Sequence, residues 1–241
     1  MKIEKEIYNL PIHRFHKLKL EYTETPFNCD GCKEAGIGLK YKCCQCEFDL
    51  HKACALATST ATHPFYKKCE FQLHHRPPGL KARVCDACRD EVSGLEYHCD
   101  RCGFDLHPCC ASLPRVLDDG ERNLILCARL SGPCHWCGGK GLGWAYRSSC
   151  KTYSLHVSCV KQLLVESWEA VYLNVDKDRV REMHTRIPSL GNTLRAHHVE
   201  RGGKMGKCCE LAKGAVRLIV SAILGDPTAI IAGVIQSFIS K

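Results

Sequence analysis

The sequence predicts a small, metal-stabilised α+β fold: three tandem cross-braced modules, each of short β-hairpins and a short helix, followed by a helical C-terminal tail. Three observations carry that prediction. The 241 residues hold 20 Cys and 13 His, and without the Cys the 45% hydrophobic fraction leaves too little for an ordinary large core. One Cys/His spacing recurs three times. After it the chain turns to charged and then helically periodic segments.

The opening MKIEKEIYNLPIHRF alternates charged and apolar residues and offers no secretory apolar stretch, so the expected compartment is the cytoplasm, not the secretory route. In that reducing setting abundant Cys with His reads as metal ligation rather than a disulfide framework.

Cys29/Cys32, Cys85/Cys88 and Cys134/Cys137 are each followed, after 18 residues, by His-x2-Cys: His51/Cys54, His107/Cys110 and His156/Cys159. Gly38, Gly94 and Gly143 repeat in register, as do Tyr41, Tyr97 and Tyr146, and Leu50, Leu106 and Leu155. The expected bounds are 10–63 for module 1, 64–115 for module 2 and 124–173 for module 3. A Cys-x2-Cys turn sets two thiolates side by side, and His-x2-Cys sets both donors on one face of a helical turn, which completes a closed tetrahedral zinc site. Such a site contributes folding free energy of about 10–16 kcal/mol at neutral pH, enough to replace a missing core. Tyr41, Tyr97, Phe48 and Phe104 are expected to pack the small core that remains, and the repeated Gly to supply a hairpin turn at positive φ. Cys44, Cys127, Cys150, His98 and His135 read as ordinary buried or surface residues.

Modules 1 and 2 carry a second pair between the outer ligands, Cys43/Cys46 and Cys99/Cys102. Its remaining donors must come from outside the interval, so each module is cross-braced. For module 1 the expected donors are His16 upstream and His63 downstream, with Cys69 in competition. For module 2, Cys69, His74, His75, Cys109 and Cys127 compete. Module 3 has Ser148 and Lys151 in place of the second pair, and a Lys ammonium cannot bind zinc. The expectation is about five zincs per chain, two each in modules 1 and 2 and one in module 3.

The series His16, Cys29, Cys32, Cys43, Cys46, His51, Cys54 resembles the C-one zinc domain of diacylglycerol and phorbol-ester receptors. With YKCCQCEFDLHKAC, YHCDRCGFDLHPCCASLP and SAILGDPTAIIAGVI, it resembles more closely still the divergent C-one modules of plant cysteine/histidine-rich proteins, along essentially the whole chain. The resemblance implies a small two-stranded-sheet and short-helix fold, two zincs per complete module, and a role in intracellular signalling or stress and defence responses. Lipid-binding C-one domains carry a longer second loop with a Gln-Gly pair. Here only ten residues separate Cys32 from Cys43, without Gln-Gly. Pro26 and Phe27 resemble the first loop, but diacylglycerol binding is disfavoured against protein interaction.

Beyond Cys159, the run VKQLLVESWEAVYL sets Val160, Leu163, Leu164, Trp168, Val171 and Tyr172 near one stripe, so module 3 should grow into a helix. Residues 174–207 read as a basic linker with a short helix at DKDRVREMH. Residues 208–240 read as an apolar helical hairpin, stopped at Gly225 and restarted through Asp226 and Pro227. Its longest charge-free run, Pro227 to Ser240, is too short for the ~20 residues a bilayer span needs. The hairpin is expected to pack on the modules, to self-associate, or to lie in a membrane interface. Cys208 and Cys209, beside Arg201, Lys204 and Lys207, would suit reversible S-acylation as the second signal of a peripheral membrane protein.

The formal charge of +8 is unevenly placed, residues 175–241 holding 11 Lys+Arg against 6 Asp+Glu. A Cys3His zinc site carries a net −1, which neutralises the modules and weakens a nucleic-acid reading. The surviving charge faces an anionic membrane surface or an acidic partner. No grouping for nucleophilic, acid–base or phosphate chemistry stands out. The sequence therefore reads as a non-catalytic zinc-binding interaction or adaptor protein with an unidentified protein partner. The alternatives are a thiol-disulfide oxidoreductase using its Cys-x2-Cys pairs, a lipid-recruited module, and a ubiquitin-ligase cross-brace. The last would end in a final Cys-x2-Cys pair, which no module has.

Overall fold

The computed structural model describes residues 4–79, 81–173 and 205–225, with side-chain surroundings for 4–79, 81–166 and 214–225. Each module builds the same antiparallel four-stranded sheet with a helix at its end. Module 1 runs β1 (Glu6–Ile7), β2 (Leu18–Asn28), β3 (Ala35–Lys42), β4 (Asp49–His51) and α1 (Lys52–Ala55), its strands ordered in sequence. Module 2 uses β5 (Thr60–Ala61), β6 (Phe71–His74), β9 (Glu96–Cys99) and β10 (Phe104–Leu106), then α2 (Pro108–Ala111). A separate hairpin, β7 (Arg83–Val84) and β8 (Glu91–Val92), corresponds to the part of β2 and β3 beyond the register shift between Thr23 and Phe27. Module 3 is β11 (Val116–Asp118), β12 (Asn123–Cys127), β13 (Ala145–Ser148) and β14 (Ser154–His156), which passes directly into α3 (Val157–Leu173).

The repeated Tyr and Leu explain why these short strands hold together. Tyr41 lies opposite Leu50, Tyr97 opposite Leu106 and Tyr146 opposite Leu155. All six are buried, and such directly opposed pairs are the unit of sheet stabilisation. Leu18, Phe71 and Leu126 add one buried residue each from the neighbouring strand. That is a small core per module, as the composition required.

The sheets have four strands where the resemblance implied two. The outer strand comes from the segment ahead of each module, so module 2 begins by β5 and module 3 by β11, upstream of the expected 64 and 124. The repeated glycines meet the expectation in part: Gly38 and Gly143, at φ +90° and +104°, have positive φ, and Gly94 does not. Gly38 lies inside β3 opposite Thr23, beside the register shift rather than in a hairpin turn. At Gly94 a methyl would run into the carbonyl oxygen of Gly31. In module 2 the glycine serves close approach.

Modules 1 and 2 lie in one compact unit, and module 3 with most of the final helix in another. Within the first, the Leu95 N–H donates to the Gly31 carbonyl over 2.8 Å, and Leu95 packs into the core that holds Cys29, Cys32 and Leu50. Within the second, α3 buries Val160, Leu163 and Leu164, part of the expected stripe. The final helix, α4 (Met205–Leu224), buries Ala215, Ile219 and Val220, and its Gly214 lies against the Arg122 guanidinium. Gly225, at φ +68°, follows its end as expected. Among the described residues no helix is long and apolar enough to cross a membrane. The helix expected at DKDRVREMH and the second arm of the hairpin lie outside the described residues, and the surroundings of Cys208 and Cys209 are not described.

Candidate metal centres

Three outer groups form where the repeat placed them: Cys29, Cys32, His51 and Cys54; Cys85, Cys88, His107 and Cys110; and Cys134, Cys137, His156 and Cys159. In each, all four donor atoms lie within 4.8 Å of one another. The Cys-x2-Cys turn is built identically each time. The N–H of Lys33, Arg89 or Gly138 returns to the carbonyl of the first Cys, and these three residues have φ of +67°, +66° and +69°. The His enters from the end of the fourth strand and the last Cys from the first helical turn, so sheet register fixes their distance from the turn.

The imidazoles present Nδ1 to the thiols: His51 at 3.3 Å from Cys32 Sγ, His107 at 3.4 Å from Cys88 and His156 at 3.5 Å from Cys137. In modules 1 and 2 the far nitrogen donates to a backbone carbonyl, of Ala35 or Glu91, each over 3.2 Å. That is how a metal-bound imidazole is held in orientation. Module 3 differs, because there the Gly141 N–H approaches Nε2 of His156 at 3.3 Å.

The donors of these groups are strongly coupled to one another. Burial pulls His107 down, yet its hydrogen bonds to Cys85 and Cys88 outweigh it and push its pKa up to about 12. In module 3 the Cys134 thiol is held at about 3, chiefly by the hydrogen bond from Cys159, with burial opposing, while Cys159 is driven far up in return. Thiolates buried together keep a proton as counter-charge, the place a divalent ion takes when thiol protons leave on metal binding.

The inner group of module 1 corrects the sequence expectation. Cys43, Cys46 and His16 come together, but their fourth partner is His13 and not His63. Cys46 Sγ is 3.6 Å from His13 Nε2 and 3.5 Å from His16 Nδ1, and the His13 ring stacks on Phe48 at 4.5 Å. His63 stands outside the group because the chain beyond α1 enters β5, which belongs to the sheet of module 2. The signal was present: His13 and His16 are separated by the same two residues as the Cys pairs.

Module 2 brings together Cys69, Cys99 and Cys102. Cys69 takes the place of His16, two residues before a buried strand residue, and Tyr66 takes the place of His13, its ring 4.5 Å from Phe104. His74, His75 and Cys127, which competed for this group, do not join it. Neither does Cys109, whose thiol turns instead to module 1, 4.0 Å from Cys54 Sγ.

Residues 11–55 match the C1 domain family. This stretch of the chain is a C1 domain. Its bounds take in His13 and Cys54, the first and last donors of the two groups of module 1, and modules 2 and 3 repeat the spacing of its outer donors and its four-stranded sheet. The chain is also 41% identical over 49 residues to a probable nucleoredoxin 1 of Arabidopsis thaliana, a match covering 20% of this chain and 8% of that protein. No solved structure matches it.

Proposed function

We propose that the chain is a non-catalytic zinc protein whose metal centres hold together small modules that present surfaces to a protein partner in intracellular signalling. The observation that carries this reading is the closure of the Cys-x2-Cys pairs. Each outer pair has its own His-x2-Cys within 4.8 Å, and Cys43/Cys46 has His13 and His16. Four N/S donors without an open position suit structural zinc. The expected content is two zincs in module 1, two in module 2, one of them on three thiols, and one in module 3.

The redox alternative draws on the name of the nucleoredoxin relative, but the likeness covers a small part of that protein. A redox pair needs an accessible thiolate free to attack, whereas Cys29, Cys32, Cys85 and Cys88 are buried among further donors. For lipid recruitment, Phe27 is the residue that would have to project. Its ring packs 5.3 Å from that of His51, with the Lys40 ammonium 5.0 Å above it, which supports a role in the outer centre of module 1.

The test is elemental analysis of the purified full chain together with a count of reactive thiols. About five zincs with few reactive thiols is the expected result. No more than one zinc, with a pair that oxidises reversibly, would overturn the reading in favour of the oxidoreductase.

A further inference from the structure

The Cys109–Cys110 dipeptide on α2 reaches two metal centres at once. Successive side chains on a helical turn point about 100° apart, so the pair cannot serve one centre. Cys110 closes the outer group of its own module. Cys109 enters module 1, where its thiol lies 4.0 Å from Cys54 Sγ and packs against the core that holds Cys29, Cys32 and Cys54. Its 4.0 Å separation from Cys54 Sγ is close to that of two thiols within one centre, 3.9 Å between Cys134 and Cys159. It is also near the ~3.8 Å that two sulfurs about 2.3 Å from one tetrahedral zinc require.

The outer centre of module 1 therefore has five donors for four positions. Cys109 touches Cys54, interacts electrostatically with Cys32 and His51 but not with Cys29, and is not among the mutually close four, which makes Cys32, His51 and Cys54 a shared triangular face. Cys29 caps one side of that face and Cys109 the other. We infer that Cys109 is an alternate zinc ligand: Cys32, His51, Cys54 and Cys109 make a second tetrahedral Cys3His site, so the ion of module 1 can be held by either module's thiol. Each set supplies three thiolates and one neutral imidazole, so exchange leaves the charge of the centre unchanged. It ties the second module to the first through the metal.

This inference rests on the zinc reading above. It is tested on the full chain, expressed with zinc and weighed by native mass spectrometry, with elemental analysis alongside. Cys29→Ala should keep the wild-type number of zincs, because Cys109 completes the second set. Cys29→Ala/Cys109→Ala should hold one fewer, as should Cys85→Ala, while Cys109→Ala alone should hold the wild-type number. In Cys29→Ala, Cys109 should also become protected from iodoacetamide relative to the wild type. A Cys29→Ala chain that loses one zinc as Cys85→Ala does, or that fails to fold while Cys109→Ala folds, overturns the inference. A wild-type chain without zinc would instead overturn the zinc reading itself.

Discussion

The Tyr41 hydroxyl donates to the carbonyl oxygen of Glu4 over 2.7 Å, tying the centre of the module 1 sheet to the segment that precedes it. The relation is repeated: Tyr97 donates to Thr58 over 2.9 Å and Tyr146 to Pro114 over 2.6 Å. The tyrosine of each module thus holds in place the stretch that feeds its outer strand.

Tyr41→Phe keeps the buried ring and removes a part-buried hydrogen bond to the chain ahead of the module. It should destabilise the chain by about 1 kcal/mol, and Tyr97→Phe and Tyr146→Phe should do likewise. Urea unfolding at constant free zinc measures this, and three neutral substitutions would show that the hydroxyls carry no weight.

Gly94→Ala should be far more costly than Gly132→Ala. A methyl at 94 meets the backbone of Gly31 and Cys32, which cannot give way, whereas nothing lies within 4 Å at 132. A loss of roughly 3 kcal/mol is expected for the first and less than about 0.5 for the second. Equal midpoints of thermal unfolding would contradict the close packing of modules 1 and 2.

Metal should leave module 3 first. His156 lacks the donor bond from its far nitrogen that Ala35 and Glu91 accept in modules 1 and 2, and Cys137 is less buried than Cys32 or Cys88. Losing such support weakens a centre by about 10–100-fold. During titration with a chelator, alkylation read by mass spectrometry should reach Cys134, Cys137 and Cys159 before Cys85, Cys88 and Cys110. The opposite order would refute this ranking.

Glu96 should make stability depend on pH. It is fully buried opposite His74, and neither of its carboxylate oxygens has a hydrogen-bond partner. Burial, with Asp105 adding to it, pushes its pKa up to about 7 from 4.5. A folded-state value above the unfolded one means that this stability is present below about pH 4.5 and lost as pH rises through about 7. The stability of Glu96→Gln relative to wild type should therefore grow between pH 5.5 and 8, by roughly 2 kcal/mol. Comparing the two proteins at each pH cancels the common effect of acid on the metal centres, and a difference that stays flat would show that Glu96 is ionised throughout.

The three outer groups were legible in the sequence because their geometry is local. A two-residue interval on a tight turn or a helical turn sets donor positions with little help from the rest of the chain, and eighteen residues between the pairs span one strand, a turn and a second strand. The loss of the second pair in module 3 was legible for the same reason. His13 was not legible in the same way, although its interval from His16 matches the other pairs, because it lies 30 residues before Cys43 and only the fold of β2 and β3 brings the two together.

The sequence by itself determined the number of modules, the identity of the outer donors and the smallness of the core, all of which follow from short-range spacing and composition. Only the tertiary structure decided which distant residues cross-brace each module. It made His13 the partner of Cys46, carried His63 away with β5, and turned Cys109 from its own module toward Cys54. The physical reason is that these partners lie 30 or more residues apart, where strand register and the direction in which the chain leaves a helix set the distance.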